Sequence, residues 1–172
     1  MLSAKRVPTA DMQPSLHEGD LIWLSQSPPQ PGAVVLIKDP HDADRVYLRR
    51  VMAMAGDSVQ PLPNGALRVN GKTIRQRDMG ADTPFRVYQE NIWSSDKAPF
   101  QYLVQRLIEA PQAMPQDPSI LPPNTLYVMS DNRDVAVDSR WWGPVPIDHV
   151  MGVVKFRIGS SHEWRSYWSS RP

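Results

Sequence analysis

Cysteine is absent from the 172 residues, which excludes disulfides and thiolate metal sites and makes the chain indifferent to redox compartment. An excess of one charge is lacking too. Nineteen basic and eighteen acidic side chains leave a formal charge of +1, so neither nucleic acid nor an acidic membrane is an electrostatic partner by default. Long apolar runs are also missing. A membrane helix needs roughly 20 consecutive apolar residues, and the longest runs here, Val34–Ile37 and Val150–Val154, are strand-length. The N-terminal MLSAKRV is basic but has no apolar stretch behind it, so it does not read as a secretory signal.

What is present is 41% hydrophobic residues and 18 prolines. The first suffices for a packed core. The second is about twice the usual usage and demotes long helices in favour of short strands and turns, because proline removes a backbone donor. Leu21–Leu24 and Ala33–Lys38 read as two antiparallel strands joined through SQSPPQPG, whose prolines and glycine favour a reversal. Arg45–Ala55 continues as a third strand, and Ser58–Leu62 pairs with Ala66–Val69 across PNG. Asn70–Gly71 is the best hairpin turn in the chain. Residues 76–119 turn polar, aromatic-dotted and proline-broken. Within them Tyr102–Ala110 has helical spacing and Pro111 to end it. Strand pattern returns at Thr125–Met129 and Val150–Ile158. The expected fold class is mainly β, antiparallel sheets with a small inserted α+β subdomain. The core is assigned to 1–61 and 120–159, the insertion to 62–119, and an aromatic and basic tail to 160–172.

Four segments carry a resemblance. They are VPTADMQPSLHEGD at Val7–Asp20, VYLRRVMAMAGDSV at Val46–Val59, LPPNTLYVMSDNRDVAVDSRWWGPVP at Leu121–Pro146 and HVMGVVKFRIG at His149–Gly159. In this order and at these separations they are similar to the boxes of the type I signal peptidase family, membrane-bound serine endopeptidases that remove signal peptides from secreted proteins. The loop D-N-R-x-x-x-x-D-S-R-x-x-G is the most specific of them. In the family the first box reads Ser-x-Ser-Met-x-Pro-Thr-Leu, with the second serine as nucleophile and the first at the oxyanion position. Here Thr9-Ala10-Asp11-Met12-Gln13-Pro14-Ser15-Leu16 stands in its place, so the nucleophile position falls on Asp11 and the oxyanion position on Thr9. The lysine base falls on Arg49. The serine that orients that lysine falls on Ala136, and the glycine before the brace loop is Ser130.

The chemical consequence follows from the residue types. A serine–lysine dyad works because burial depresses the lysine pKa until the neutral amine accepts the hydroxyl proton. A guanidinium stays protonated, so Arg49 is no general base. Attack by the Asp11 carboxylate on an amide would be attack by a weak, stabilised anion giving an anhydride. The resemblance therefore implies a degenerate dyad, with an Asp11–Arg49 ion pair of charged groups within about 6 Å. Asp131, Asn132, Arg133, Asp138, Ser139 and Arg140 are retained as a structural brace. Arg50 is read as facing solvent.

The family also implies a peptide cleft, where substrate adds as a β-strand beside Lys5–Ala10 and Asp44–Leu48. Its candidate residues are Val7, Pro8, Thr9, Ala10 and Met12, with Val46, Tyr47 and Leu48 opposite. The leading expectation is a protein that has lost proteolysis and binds an extended peptide, a preprotein segment or a secretion-pathway protein. An active membrane-associated signal peptidase, in which Thr9 or another hydroxyl has taken over, is the second, although Thr9 has no base beside it in the motif. A structural or assembly protein built on the β scaffold is the third. No cofactor and no metal site is expected, since His17, His41, His149 and His162 are dispersed. Nucleic acid is not an expected partner. Membrane surface contact is open through Trp164, Arg165, Tyr167, Trp168 and Arg171, a tail that suits a core or a protein contact equally. Ten residues precede position 11, where family members emerge from a transmembrane helix. An anchor removed and an anchor never present are both open, and the expected location is the bacterial envelope, on the periplasmic or extracytoplasmic face of the membrane.

Overall fold

The computed structural model describes residues 3–42, 44–94, 97–111, 116–158 and 164–166. Along the chain run β1 (Ser3–Arg6), β2 (Leu21–Ser25), β3 (Val34–Lys38), β4 (Val46–Met54), β5 (Ser58–Pro61), β6 (Leu67–Val69) and β7 (Lys72–Thr73). There follow β8 (Gln76–Asp82), β9 (Phe85–Ser94), β10 (Lys97–Leu107), β11 (Ser119–Ile120), β12 (Thr125–Met129), β13 (Val145–Pro146), β14 (Val150–Ile158) and β15 (Trp164–Ser166). Among the described residues, helical structure is confined to the one-turn helix α1 (Ser139–Trp142) and 3-10 turns at Ala10–Met12 and Ile147–His149. The main sheet has the order β1-β2-β14-β3-β4-β12-β13, with β15 on β14. Two smaller sheets, β10-β9-β8 and β11-β5-β6-β7, complete an antiparallel architecture. Among the described residues no helix is long and apolar enough to cross a membrane.

Local chemistry accounts for most of this. Asn70 and Gly71 take φ of 50° and 75°, the pair of positive values that a tight hairpin matching strand twist demands, and Val69 pairs with Lys72 across them. Two expectations are corrected. Leu21–Leu24 and Ala33–Lys38 form strands, but β14 lies between them, antiparallel to each. The proline-rich connection is thus a crossover, and Gly152 suits the close packing of β14 on β2, since a Cβ there would lie 3.1 Å from that of Leu24. Tyr102–Ala110 is no helix, since β10 runs to Leu107 in register with β9 from Phe100↔Ile92 to Leu107↔Phe85. Tyr102 and Val104 are buried and Leu103 is exposed. This period of two prevails over the helical spacing because a ten-residue neighbour strand supplies the ladder. Among the described residues, 62–119 is therefore β without an α component.

The core has three clusters. The largest joins Met52, Ala53, Tyr127 and Met129 of the main sheet to Leu67, Ile92 and Val104 of the smaller ones and to Ile74, just after β7. A second gathers Val7, Met12 and Leu16 against Ile22, Leu24, Val34, Leu36, Leu48 and Val154, which pins the 3-10 turn to the sheet. A third lies around Val35, Val51, Val128 and Val153. Of the aromatic and basic tail, only the backbone of Trp164–Ser166 belongs to the described residues.

Candidate functional site

Two consecutive arginines on one strand project to opposite faces, and both are buried, each 1% exposed. Aromatic rings make this tolerable. The Arg49 Cζ lies 4.7 Å from the Tyr47 ring centroid and 5.7 Å from that of Trp142. Arg50 is held in the same way, 4.2 Å from Tyr102 and 5.7 Å from Phe100. Desolvated guanidinium over ring faces is the favourable form of the cation–π contact.

Arg49 uses its donors locally. Nη1 donates to Asp11 Oδ2 at 3.1 Å and to the Leu48 carbonyl at 2.6 Å, while Nε and Nη2 donate to the Val137 carbonyl at 3.1 and 2.7 Å. Burial lowers its pKa from the ordinary arginine value, and the charges of Asp11 and Asp138 oppose the shift. Asp11 comes from the 3-10 turn, and Asn132 fixes that turn by donating its backbone N–H to Asp11 O at 3.0 Å and its side-chain amide to Ala10 O at 3.3 Å. The Asp11 side chain remains 22% exposed. The ion pair read from the sequence is thus formed.

Arg50 does not face solvent, contrary to expectation. Its Nε and Nη2 make a bidentate pair with Asp131 at 2.8 and 2.5 Å, Nη1 donates to Gly32 O at 2.6 Å, and Nη2 also reaches Ser15 Oγ at 3.2 Å. The charge-assisted fork is the geometry that offsets the desolvation of a buried guanidinium.

The retained loop braces itself less than it braces its surroundings. Within it Asp138 caps α1, accepts from Arg140 Nε at 2.8 Å and Nη2 at 2.7 Å, and accepts the Ser130 N–H at 2.9 Å. Ser139 Oγ accepts the Val128 N–H at 3.0 Å. Its other charges reach out, Asp131 to Arg50 of β4 and Arg133 Nη2 to Glu90 Oε2 of β9 at 2.6 Å. Glu90 also accepts from Tyr102 OH at 2.6 Å and Gln76 Nε2 at 2.8 Å. This Glu90–Tyr102–Arg133 cluster was not foreseen. A glutamate between Gln89 and Asn91 in a polar stretch carries no sequence signal of burial.

Tyr102 gives a pH prediction. Burial first, and the Glu90 charge second, push its phenol well above the ordinary value. Burial foremost raises Tyr127 too. The folded state then holds protons that the unfolded chain releases, so their stabilisation is complete below about pH 10 and is lost as pH rises towards the folded values. The denaturant midpoint should fall as pH rises from about 9.5 to about 11, across the ordinary tyrosine range, and Tyr102→Phe should flatten part of that fall.

The remaining candidates are placed as follows. Val7 is buried and exchanges backbone bonds with Asp20 and Gly19, both 2.9 Å. Pro8 and Thr9 are exposed, and Thr9 makes no side-chain capping bond. Met12 and Leu48 are in the core, Tyr47 packs on Trp142 with centroids 5.5 Å apart, and Val46 is exposed. Ala136 lines a recess of about 330 Å³ with Gly65, Asp134 and Trp141. It is the neighbouring Val137 carbonyl that reaches Arg49. Among the described residues no group of three His, Cys, Asp or Glu side chains is arranged to hold a metal.

Comparison with known proteins gives a consistent family. The model for signal peptidase, peptidase S26, matches residues 1–159. A signal peptidase I of Pseudomonas fluorescens is 24% identical over 174 residues, covering 86% of this chain and 61% of that protein. One of Aquifex aeolicus is 28% identical over 185 residues, covering 87% of this chain and 72% of that protein. A solved signal peptidase I of Enterococcus faecalis V583 superposes with a TM-score of 0.47 at 22% identity, over 75% of this chain and 98% of that one. This chain spans 61% and 64% of the length of the two Pseudomonas relatives.

Proposed function

Because the chain belongs to the signal peptidase family, peptidase S26, we propose that it is a non-catalytic member that holds extended peptide segments of preproteins, or a secretion-pathway partner, at the bacterial envelope. The observation that carries this reading is the Arg49–Asp11 pair at 3.1 Å. A permanently charged guanidinium takes the place of the base, and a carboxylate already bonded to it takes the place of the nucleophile. The retained brace supports the same reading, since Asn132 still fixes the 3-10 turn and Asp131 still holds β4 around an altered pair, while Arg133 ties the loop to β9.

The relatives' own name, signal peptidase I, favours a second reading, an active serine-type endopeptidase with Thr9 as nucleophile. The two separate in one assay with a preprotein and a labelled Ala-x-Ala peptide. The expected result is a rise in fluorescence anisotropy without cleavage products. Turnover that disappears in Thr9→Ala would establish the second reading. Neither binding nor turnover would favour a scaffold role.

A further inference from the structure

Resting on the peptide-holding reading above, we propose that Arg49 is an internal occupant of the strand-adding edge of β4, so that a peptide pairs at Leu48 only when the guanidinium withdraws. The argument begins with the direction of the backbone. Val51 donates its N–H to Ala33 O and accepts from Gly32 N, both at 2.8 Å, so its polar groups point towards β3. In an antiparallel ladder successive residues alternate sides, and Val35↔Arg49, Leu36↔Leu48 and Ile37↔Tyr47 continue the register without a break. Arg49 and Tyr47 therefore also address β3, while Val46 and Leu48 aim their N–H and C=O groups at the other edge.

That other edge is only partly covered. β12 pairs with β4 from Arg50 to Met54, and among the described residues no strand pairs with Val46–Leu48 on that side. Unpaired strand edges are templates for an added chain. Here the Leu48 carbonyl is instead taken by Arg49 Nη1 at 2.6 Å, and the same guanidinium reaches across to the Val137 carbonyl with Nε and Nη2. It thus spans from the edge of β4 to the brace loop, with Asp11 holding it from a third side. A carbonyl oxygen can accept two hydrogen bonds, so what closes the edge is the volume of a planar cation lying across it rather than a lack of lone pairs. Two aromatic faces, two carbonyls and a carboxylate are a complete receptor for one cation, and the chain supplies that cation itself. The chemistry left for a ligand is an uncharged, extended backbone that supplies donors and acceptors to Val46 and Leu48.

The test titrates an end-blocked, fluorescent Ala-x-Ala peptide into the unaltered protein, Arg49→Ala, and Arg49→Ala combined with Asp11→Ala, with amide hydrogen exchange at Val46 and Leu48. The expected result is at least about tenfold tighter binding in both variants, with slowed exchange at those two amides. Equal affinity, or binding lost in the variants, overturns the inference and leaves the peptide-holding reading intact. Tighter binding without protection at Val46 and Leu48 also overturns it. Absence of binding in all three proteins defeats both. Thermal melts check folding, and if Arg49→Ala is unfolded, Arg49→Gln gives the same comparison with a shorter neutral side chain.

Discussion

Glu90→Ala should lower the unfolding free energy by about 3–5 kcal/mol, a large share of the roughly 5–15 kcal/mol that holds a domain folded. The loss comes from what the carboxylate leaves behind. Arg133 is fully buried, and its Nε and Nη1 have no hydrogen-bond partner among the described residues. Burial is the largest single influence and lowers the pKa of this guanidinium, but the surrounding groups, Glu90 foremost with Tyr102, Asp131 and Asp138, together outweigh it and raise the value. Without Glu90 a desolvated cation remains beside a Tyr102 hydroxyl left with only the weak acceptor Met52 Sδ at 3.6 Å, and an unpaired buried charge is among the costliest defects a core can carry. Urea denaturation reads the loss as a lower midpoint at nearly constant slope. Glu90→Leu with Arg133→Met should recover most of it, because removing both charges removes the desolvation cost with the attraction. A Glu90→Ala protein within about 0.5 kcal/mol of the parent would show that the pair contributes nothing. Asp11→Ala should cost less, about 1.5–3 kcal/mol, because Arg49 keeps the Leu48 and Val137 carbonyls and Asp11 is partly in water.

This contrast marks what the sequence could and could not say. Residues whose meaning is local or motif-borne were legible: the Asn70–Gly71 turn follows from backbone sterics, and Asp11 and Arg49 were paired by their places in ordered boxes. The brace was legible as a set of residues but not as a set of partners, because Asp131–Arg50 and Arg133–Glu90 join positions far apart in the chain. Reading Arg50 as solvated failed for the same reason. A charged residue in an apolar strand is ambiguous until the aromatic pair that shelters it is known, and Phe100 and Tyr102 come from the stretch least readable in isolation. Tyr102–Ala110 satisfied a helical spacing and an alternating one together, and the β9 ladder decided between them. The β2–β14–β3 order had no local signature at all, since it requires a strand from the far end of the core to enter between two early ones.

Restoring the dyad should restore only weak peptidase activity until position 136 is restored with it. In Asp11→Ser with Arg49→Lys, the environment at 49 favours a usable base. Burial is the foremost influence lowering the pKa of the native cation there and Asp11 is the foremost charge raising it, so Asp11→Ser removes the main opposition to a depressed amine. Orientation is the missing part. The native guanidinium is positioned by four hydrogen bonds to three acceptors, whereas an ammonium on a flexible stem has no fork to span them, and Ala136 offers no hydroxyl. A misplacement of about 1 Å can cost on the order of 10²-fold in rate, so adding Ala136→Ser should raise turnover of an Ala-x-Ala peptide by about that factor. The pH profile identifies the mechanism. A lysine base acts only when neutral, so the rate should rise with pH and level off above its pKa, and keeping the native Arg49 beside Asp11→Ser and Ala136→Ser should abolish it. A triple variant no faster than the double, or an unaltered protein that already cleaves, would show that the changes at 11, 49 and 136 are not what separates this chain from a working peptidase.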